Sequence, residues 1–244
     1  MPGPLLLKKH DGFYLLPLFE PWGIRALFTT KKYDMAFEAR SKINPPADFS
    51  WSHLVRPSQV HGNTVAIVNG SHRGRGRANR RNAIQETDAL VTCETRLPIA
   101  VLTADCLPVF LADPQRRAIA IVHAGWQGLR QKIISKTVGI LAKKFSVCPE
   151  ELCAVLGPAI RTCCYEVGEE FKGHFEKNIS VRSSRLFLDM PAAAVGQLCS
   201  CGIPESRIFD SGLCTSCHDD EFYSYRRQGD SAGRSMSVIE IIPK

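Results

Sequence analysis

No run of about 18 apolar residues occurs in this chain, so no membrane-spanning helix is expected. The N-terminus also lacks the charge-then-apolar order of an export signal. In Met1-Pro2-Gly3-Pro4-Leu5-Leu6-Leu7-Lys8-Lys9-His10 the leucines precede the lysines. A cytoplasmic protein is therefore expected, and its ten cysteines are expected as free thiols. No repeat and no Pro-, Gly- or Ser-rich linker divides the 244 residues, which predicts one domain over 1–244. Acid is missing from the stretch holding Arg73, Arg75, Arg77, Arg80 and Arg81, so the net charge of +7 is concentrated locally. Aromatic residues do not interleave with those arginines, so nucleic-acid binding is not expected. Gly74-x-Gly76 lacks the third glycine and the apolar helix of a dinucleotide fingerprint. The Arg-rich segment 70–82 reads as a mobile surface loop.

What is present is a series of apolar, β-branched segments. Residues 13–19 and 24–30 read as strands around Pro21-Trp22-Gly23, and 53–60 and 63–68 as a strand pair broken at His61-Gly62. Residues 88–93, 98–103, 107–112 and 118–122 show little polar alternation, the pattern of strands buried on both faces. Residues 152–156, 207–209 and 236–242 complete the strand set. Helices are predicted over 34–43, 128–145, 167–177 and 191–201, the last with Asp189 as N-cap and Pro191 in its first turn. The start of 128–145 is a place where an anion would dock. Cys93, Cys148, Cys153 and Cys199 lie in or beside apolar runs and read as small hydrophobes. The whole predicts an α/β chain of the α+β type, with mixed sheets sandwiched by helices.

Three chemistry-bearing residues each sit beside an apolar run: His61, Cys106 and His123. Two imidazoles and a thiolate suit zinc or copper(II), and three ligands leave a fourth position open. No local ligand spacing joins them, and each read alone also fits a turn or core residue. The same residues also allow a cysteine hydrolase, with Cys106 as nucleophile and a histidine as base. Asp105 could orient that base, but it fits a turn cap better. Cys214-Thr215-Ser216-Cys217-His218 has the haem-attachment spacing, which the absence of an export signal argues against. No thioredoxin-like context surrounds it either. Arg226 and Arg227 suit a bidentate phosphate clamp, or a pair of surface charges. Phe222-Tyr223-Ser224-Tyr225 before them reads as an ordinary strand or a wall for stacking a base.

Taken in order, several motifs resemble the laccase-domain family, long called multicopper polyphenol oxidases and also known as YfiH-like proteins. They are Gln59-Val60-His61-Gly62, Thr87-Asp88-Ala89-Leu90-Val91-Thr92, Ala104-Asp105-Cys106-Leu107-Pro108-Val109 and His123-Ala124-Gly125-Trp126-x-Gly128. Gly157-Pro158-Ala159-Ile160, Cys214-Thr215, Phe222-Tyr223-Ser224-Tyr225-Arg226-Arg227 and Gly233-Arg234 follow. The resemblance implies a mixed α/β sandwich shared with a bacterial toxin catalytic domain that uses Cys and His. It implies zinc held by His61, Cys106 and His123, and phosphorolysis of adenosine, inosine, guanosine or methylthioadenosine, with adenosine deamination alongside. Gln59, Asn63, Arg226 and Arg227 are then the expected contacts to nucleoside and phosphate, in a monomer or homodimer. The older family label implies copper-dependent phenol oxidation. That reading is chemically weaker, because several copper centres need more histidines than the seven present. Gln127 stands where the family usually has Arg, which removes one expected anion contact.

Overall fold

The computed structural model describes residues 7–36, 49–115 and 118–243. Most of the helix expected over 34–43 lies outside them. The chain opens with β1 (Lys8–His10), β2 (Phe13–Leu15) and β3 (Ile24–Thr29). Then come β4 (Val65–Ile67), β5 (Ala89–Thr92), β6 (Ile99–Thr103), β7 (Leu107–Ala112) and β8 (Ile119–Ala124). Helices α1 (Trp126–Arg130) and α2 (Ile133–Phe145) lead to β9 (Cys153–Leu156). They are followed by β10 (Glu166–Val167), α3 (Lys172–Phe175), β11 (Ile179–Arg182), β12 (Arg185–Leu188) and α4 (Met190–Ser200). The last elements are β13 (Ile208–Asp210), α5 (Tyr225–Gln228) and β14 (Ser235–Ile241).

Among the described residues the strands form three sheets. One is antiparallel, in the order β1-β2-β3-β14-β6. A second is mixed, in the order β13-β9-β7-β8-β5-β4, with its two edge pairs parallel and its centre antiparallel. A small third sheet is β10-β12-β11. The two-residue period of a strand assigns the layers. On β8, Ala120, Val122 and Ala124 pack with Ile134, Val138 and Leu141 of α2 and with Leu198 of α4. Ile119 and Ile121 on the same strand face the other sheet, joining Phe28, Val101, Phe110 and Ile239. The helices therefore cover one face of the mixed sheet and the antiparallel sheet covers the other. This double burial is why these segments show so little polar alternation.

The expected boundaries shift for local reasons. Residues 53–60 do not form a regular strand; only Val55 and Pro57 make isolated bridges. The helix expected over 128–145 is two helices, because Lys132 between them adopts a left-handed backbone with φ of 59°. The anion dock expected at its start loses its basis, since the five-residue α1 offers little dipole. Residues 167–177 hold only short helical turns. A hairpin that the pattern did not announce follows, its turn at Ser183 and Ser184, both at positive φ and without the usual glycine. Asp189 caps α4 as expected, accepting from the Ala192 amide at 2.9 Å. Of the four cysteines expected as small hydrophobes, Cys153 is buried; Cys93, Cys148 and Cys199 lie at element ends and are exposed.

The Arg-rich segment lies at the surface and its backbone makes contacts with the rest of the fold. The buried Arg56 side chain donates to the Gly76 carbonyl at 2.7 Å and to the Arg77 carbonyl at 2.9 Å. Asn69 and Asn79 each cap a short turn within it.

Candidate active site and metal centre

Register in the mixed sheet builds this site. Ala89 pairs with Val122, so Asp88 comes opposite His123 one step beyond the ladder. The His123 amide donates to the Asp88 carbonyl at 2.8 Å, and His123 Nδ1 lies 2.8 Å from Asp88 Oδ1. Leu107 pairs with Ala124, which sets Cys106 opposite Gly125. A side chain at Gly125 would put its Cβ 3.0 Å from Cys106 Sγ and 3.3 Å from a His61 ring carbon. Glycine is what lets thiol and imidazole approach.

His61 arrives on a turn with φ of 59°. Asp88 fixes that turn as well: its carboxylate accepts from the amides of Val60 at 3.2 Å, His61 at 3.0 Å and Gly62 at 2.8 Å. One fully buried carboxylate thus positions both histidines. The two imidazole rings meet edge to face with centroids 4.9 Å apart. Ligating atoms of His61, Cys106 and His123 lie within 4.8 Å of one another.

The electrostatics are those of a charged pair. Burial pushes the Cys106 thiol up, but the charge of His123 and hydrogen bonds from His123 and His61 outweigh it and bring it to about 6. Burial pushes His123 down, while the Cys106 charge and the hydrogen bond to Asp88 raise it to about 9. For Asp88 too, burial opposes ionisation, and His123 with the Gly62 and Val60 amides holds the carboxyl below its ordinary range. The donor set fits a metal: a thiolate, two imidazoles and a carboxylate bonded to the far nitrogen of one histidine. With Nδ1 bonded to Asp88, His123 keeps Nε2 for a ligand.

The three residues lie in a cleft of about 1180 Å³, also lined by Gln59, Trp126, Gln127, Ile160, Tyr165 and Tyr225. Arg80, Arg226 and Arg234 bring positive charge to it. The expected substrate contacts divide. Arg226 lines the cleft, packed 5.2 Å from the Tyr165 ring centre, with one guanidinium nitrogen 3.0 Å from the Glu166 carbonyl. Gln59 lines it too, but its amide is spent on the backbone of Leu102, at 2.7 Å and 2.8 Å. Asn63 turns away and donates to the Gln131 carbonyl at 2.9 Å. Arg227 is likewise outside the lining, donating to the carbonyls of Thr215, Ser216 and Phe222.

Sequence reasoning gave Asp88 no role, although its motif was noted. Asp105, which fitted a turn cap better than a base-orienting group, has no hydrogen bond to a histidine and reaches further than its own turn. The Asp105 side chain accepts from Thr215 Oγ1 at 2.6 Å, Ser224 Oγ at 3.1 Å and the Arg226 amide at 2.7 Å. It ties the Cys106 turn to Thr215 and to the start of α5, which carries Arg226. Arg80, from the segment assigned no role, reaches the cleft.

The chain is 34% identical over 197 residues to a purine nucleoside phosphorylase of Bacteroides thetaiotaomicron, covering 77% of this chain and 73% of that one. It is 34% identical over 195 residues to the adenosine deaminase RL5 of an unknown prokaryotic organism, covering 76% and 74%. Among solved structures, YlmD of Geobacillus stearothermophilus superposes with a TM-score of 0.86 at 26% identity, covering 98% of this chain and 100% of that one. The hypothetical protein YfiH of Bacillus licheniformis gives 0.87 at 26% identity, covering 96% and 98%. The sequence match extends over residues 34–242, and the chain belongs to the family described as multi-copper polyphenol oxidoreductase laccase.

Proposed function

We propose that this protein is a zinc-dependent purine nucleoside phosphorylase that also deaminates adenosine. The observation that carries the reading is the convergence of His61, Cys106 and His123 in a large cleft rimmed by Arg80, Arg226 and Arg234. The names of the relatives at 34% identity support the same chemistry. Adenosine, inosine, guanosine and methylthioadenosine are the nucleosides proposed.

Phosphorolysis breaks the bond between the purine and C1′ of the ribose and forms one from a phosphate oxygen to C1′. A proton ends on the purine. His61, Cys106 and His123 would hold a divalent ion, which when bound would supply Lewis acidity to the reaction. Arg226, with Arg80 and Arg234 on the same rim, attracts the phosphate and holds it against the ribose. Tyr165 stays protonated, since burial and the Cys106 charge push it up to about 12. It is a neutral donor on the cleft wall. Asp88 keeps His123 in one orientation and one tautomer. Gln59, bonded to Leu102, acts as a positioning residue.

Chromatography of adenosine incubated with the protein tests this. Adenine that forms only when phosphate is added supports the phosphorylase, and inosine in both reactions supports the deaminase. Intact adenosine in both would refute the proposal. A second reading has its own observation: a thiol lowered to about 6 beside an imidazole raised to about 9 is also a hydrolase pair. That enzyme would keep its turnover in chelator and lose it to thiol alkylation alone.

A further inference from the structure

A second sulfur cluster lies outside the reaction centre. Cys163 and Cys164 sit on the turn that follows Gly157-Pro158-Ala159-Ile160, and Cys214 and Cys217 sit on the loop after β13. The Ala159–Cys214 bridge brings these loops together. The Ala159 amide donates to Leu213 at 3.2 Å, and the Thr215 amide to Ala159 at 3.1 Å. The four sulfurs then lie within 4.8 Å of one another. Cys163 Sγ and Cys164 Sγ are each 3.4 Å from Cys217 Sγ.

We propose that Cys163, Cys164, Cys214 and Cys217 form a structural metal site that takes one zinc ion as a tetrahedral tetrathiolate. A Zn–S bond of about 2.3 Å places the sulfurs of a tetrahedron about 3.8 Å apart, and the spacing here brackets that distance. Four sulfurs leave no position open, unlike the three donors in the cleft. Binding replaces up to four S–H bonds with four Zn–S bonds and releases the protons; no electrons move.

The surroundings suit the charge that results. A tetrathiolate around Zn²⁺ carries two negative charges, and four arginines grip the carbonyls of these loops. Arg161 bonds Leu213, Arg182 bonds Thr162, Arg226 bonds Cys164, and Arg227 bonds Thr215 and Ser216. The amides of Cys217, Arg161 and Ser216 face the sulfur of the buried Cys214. Cys163 and Cys217 are exposed, which gives an ion a way in. His218 is not a fifth donor from its Nδ1, which lies 2.9 Å from the Cys214 carbonyl. The clasp matters to the cleft because Ile160 and Tyr165 flank Cys163 and Cys164, and Arg226, on α5, bonds the carbonyls of Cys164 and Glu166.

The test is metal content, so it stands apart from whether the protein cleaves nucleosides. The full chain carrying Cys106→Ala, which disables the first site, is purified with zinc, desalted and assayed by mass spectrometry of the metals. About one zinc per chain is expected, and none after adding Cys217→Ser or Cys163→Ser. Cobalt in the Cys106→Ala protein should give the intense thiolate charge-transfer absorption of four sulfurs, a readout that needs no second variant. Zinc-free Cys106→Ala protein, zinc content indifferent to Cys217→Ser and Cys163→Ser, iron in place of zinc, or disulfides seen as lost hydrogen mass would each overturn the proposal.

Discussion

The two sulfur-containing clusters are built by different means. Cys106 and His123 are set by strand register, with Gly125 and Asp88 placed opposite them by the pairing of β5, β8 and β7, and His61 by a turn whose amides Asp88 holds. Cys163, Cys164, Cys214 and Cys217 are set by two loops, joined at one bridge and laced by arginines. The first cluster has three donors and opens on a cleft; the second has four and closes on itself. Paired strands fix two of the first cluster's three donors. Loops give a site whose walls depend on what clasps them.

Substitutions should separate the two. The largest effect is expected from Cys106→Ala, which should abolish nucleoside turnover while the four-cysteine site keeps its metal; steady-state kinetics beside metal analysis check both. Asp88→Asn should follow, with about 10–100-fold weaker metal affinity in the cleft, because a ligand histidine loses its oriented partner. Competition with a chelator measures it. Gly125→Ala should cost about 1–3 kcal/mol by crowding Cys106 and His61, read as a lower denaturant midpoint with the loop cluster unaffected.

The smallest effect tests a carboxylate remote from both clusters. Burial raises Glu240 above the ordinary carboxylate range, although the Ser50 amide partly offsets it. Its folded pKa exceeds its unfolded one, so the native state holds more protons in between. Stability from this group is therefore present at low pH and is lost as pH rises through that window. Glu240→Gln should flatten this slope in melts across acidic pH and change neither metal content.

Much of the sheet was legible because strands buried on both faces leave continuous apolar runs, as at Leu107–Ala112. His61, Cys106 and His123 could be singled out because each ends or begins such a run. The role of Asp88 could not be read, since it depends on a cross-strand pairing that no local pattern announces. Asn63 and Arg227 have suitable chemistry for substrate, but their donors are consumed by Gln131, Thr215, Ser216 and Phe222. The Cys214-x-x-Cys217 spacing was visible, yet its partners Cys163 and Cys164 come near it only through the Ala159 bridge. The anchoring of 70–82 was equally hidden, because it rests on one buried arginine upstream, Arg56.

On the proposal above, strand register and the Asp88-held turn assemble a metal-holding reaction centre from His61, Cys106 and His123. Anomalous diffraction at the zinc edge, on crystals of the zinc-loaded protein, addresses it most directly. A strong peak is expected among His61, Cys106 Sγ and His123 Nε2, lost in Cys106→Ala crystals. Zinc-loaded crystals with no peak there, while the protein still cleaves adenosine, would contradict it.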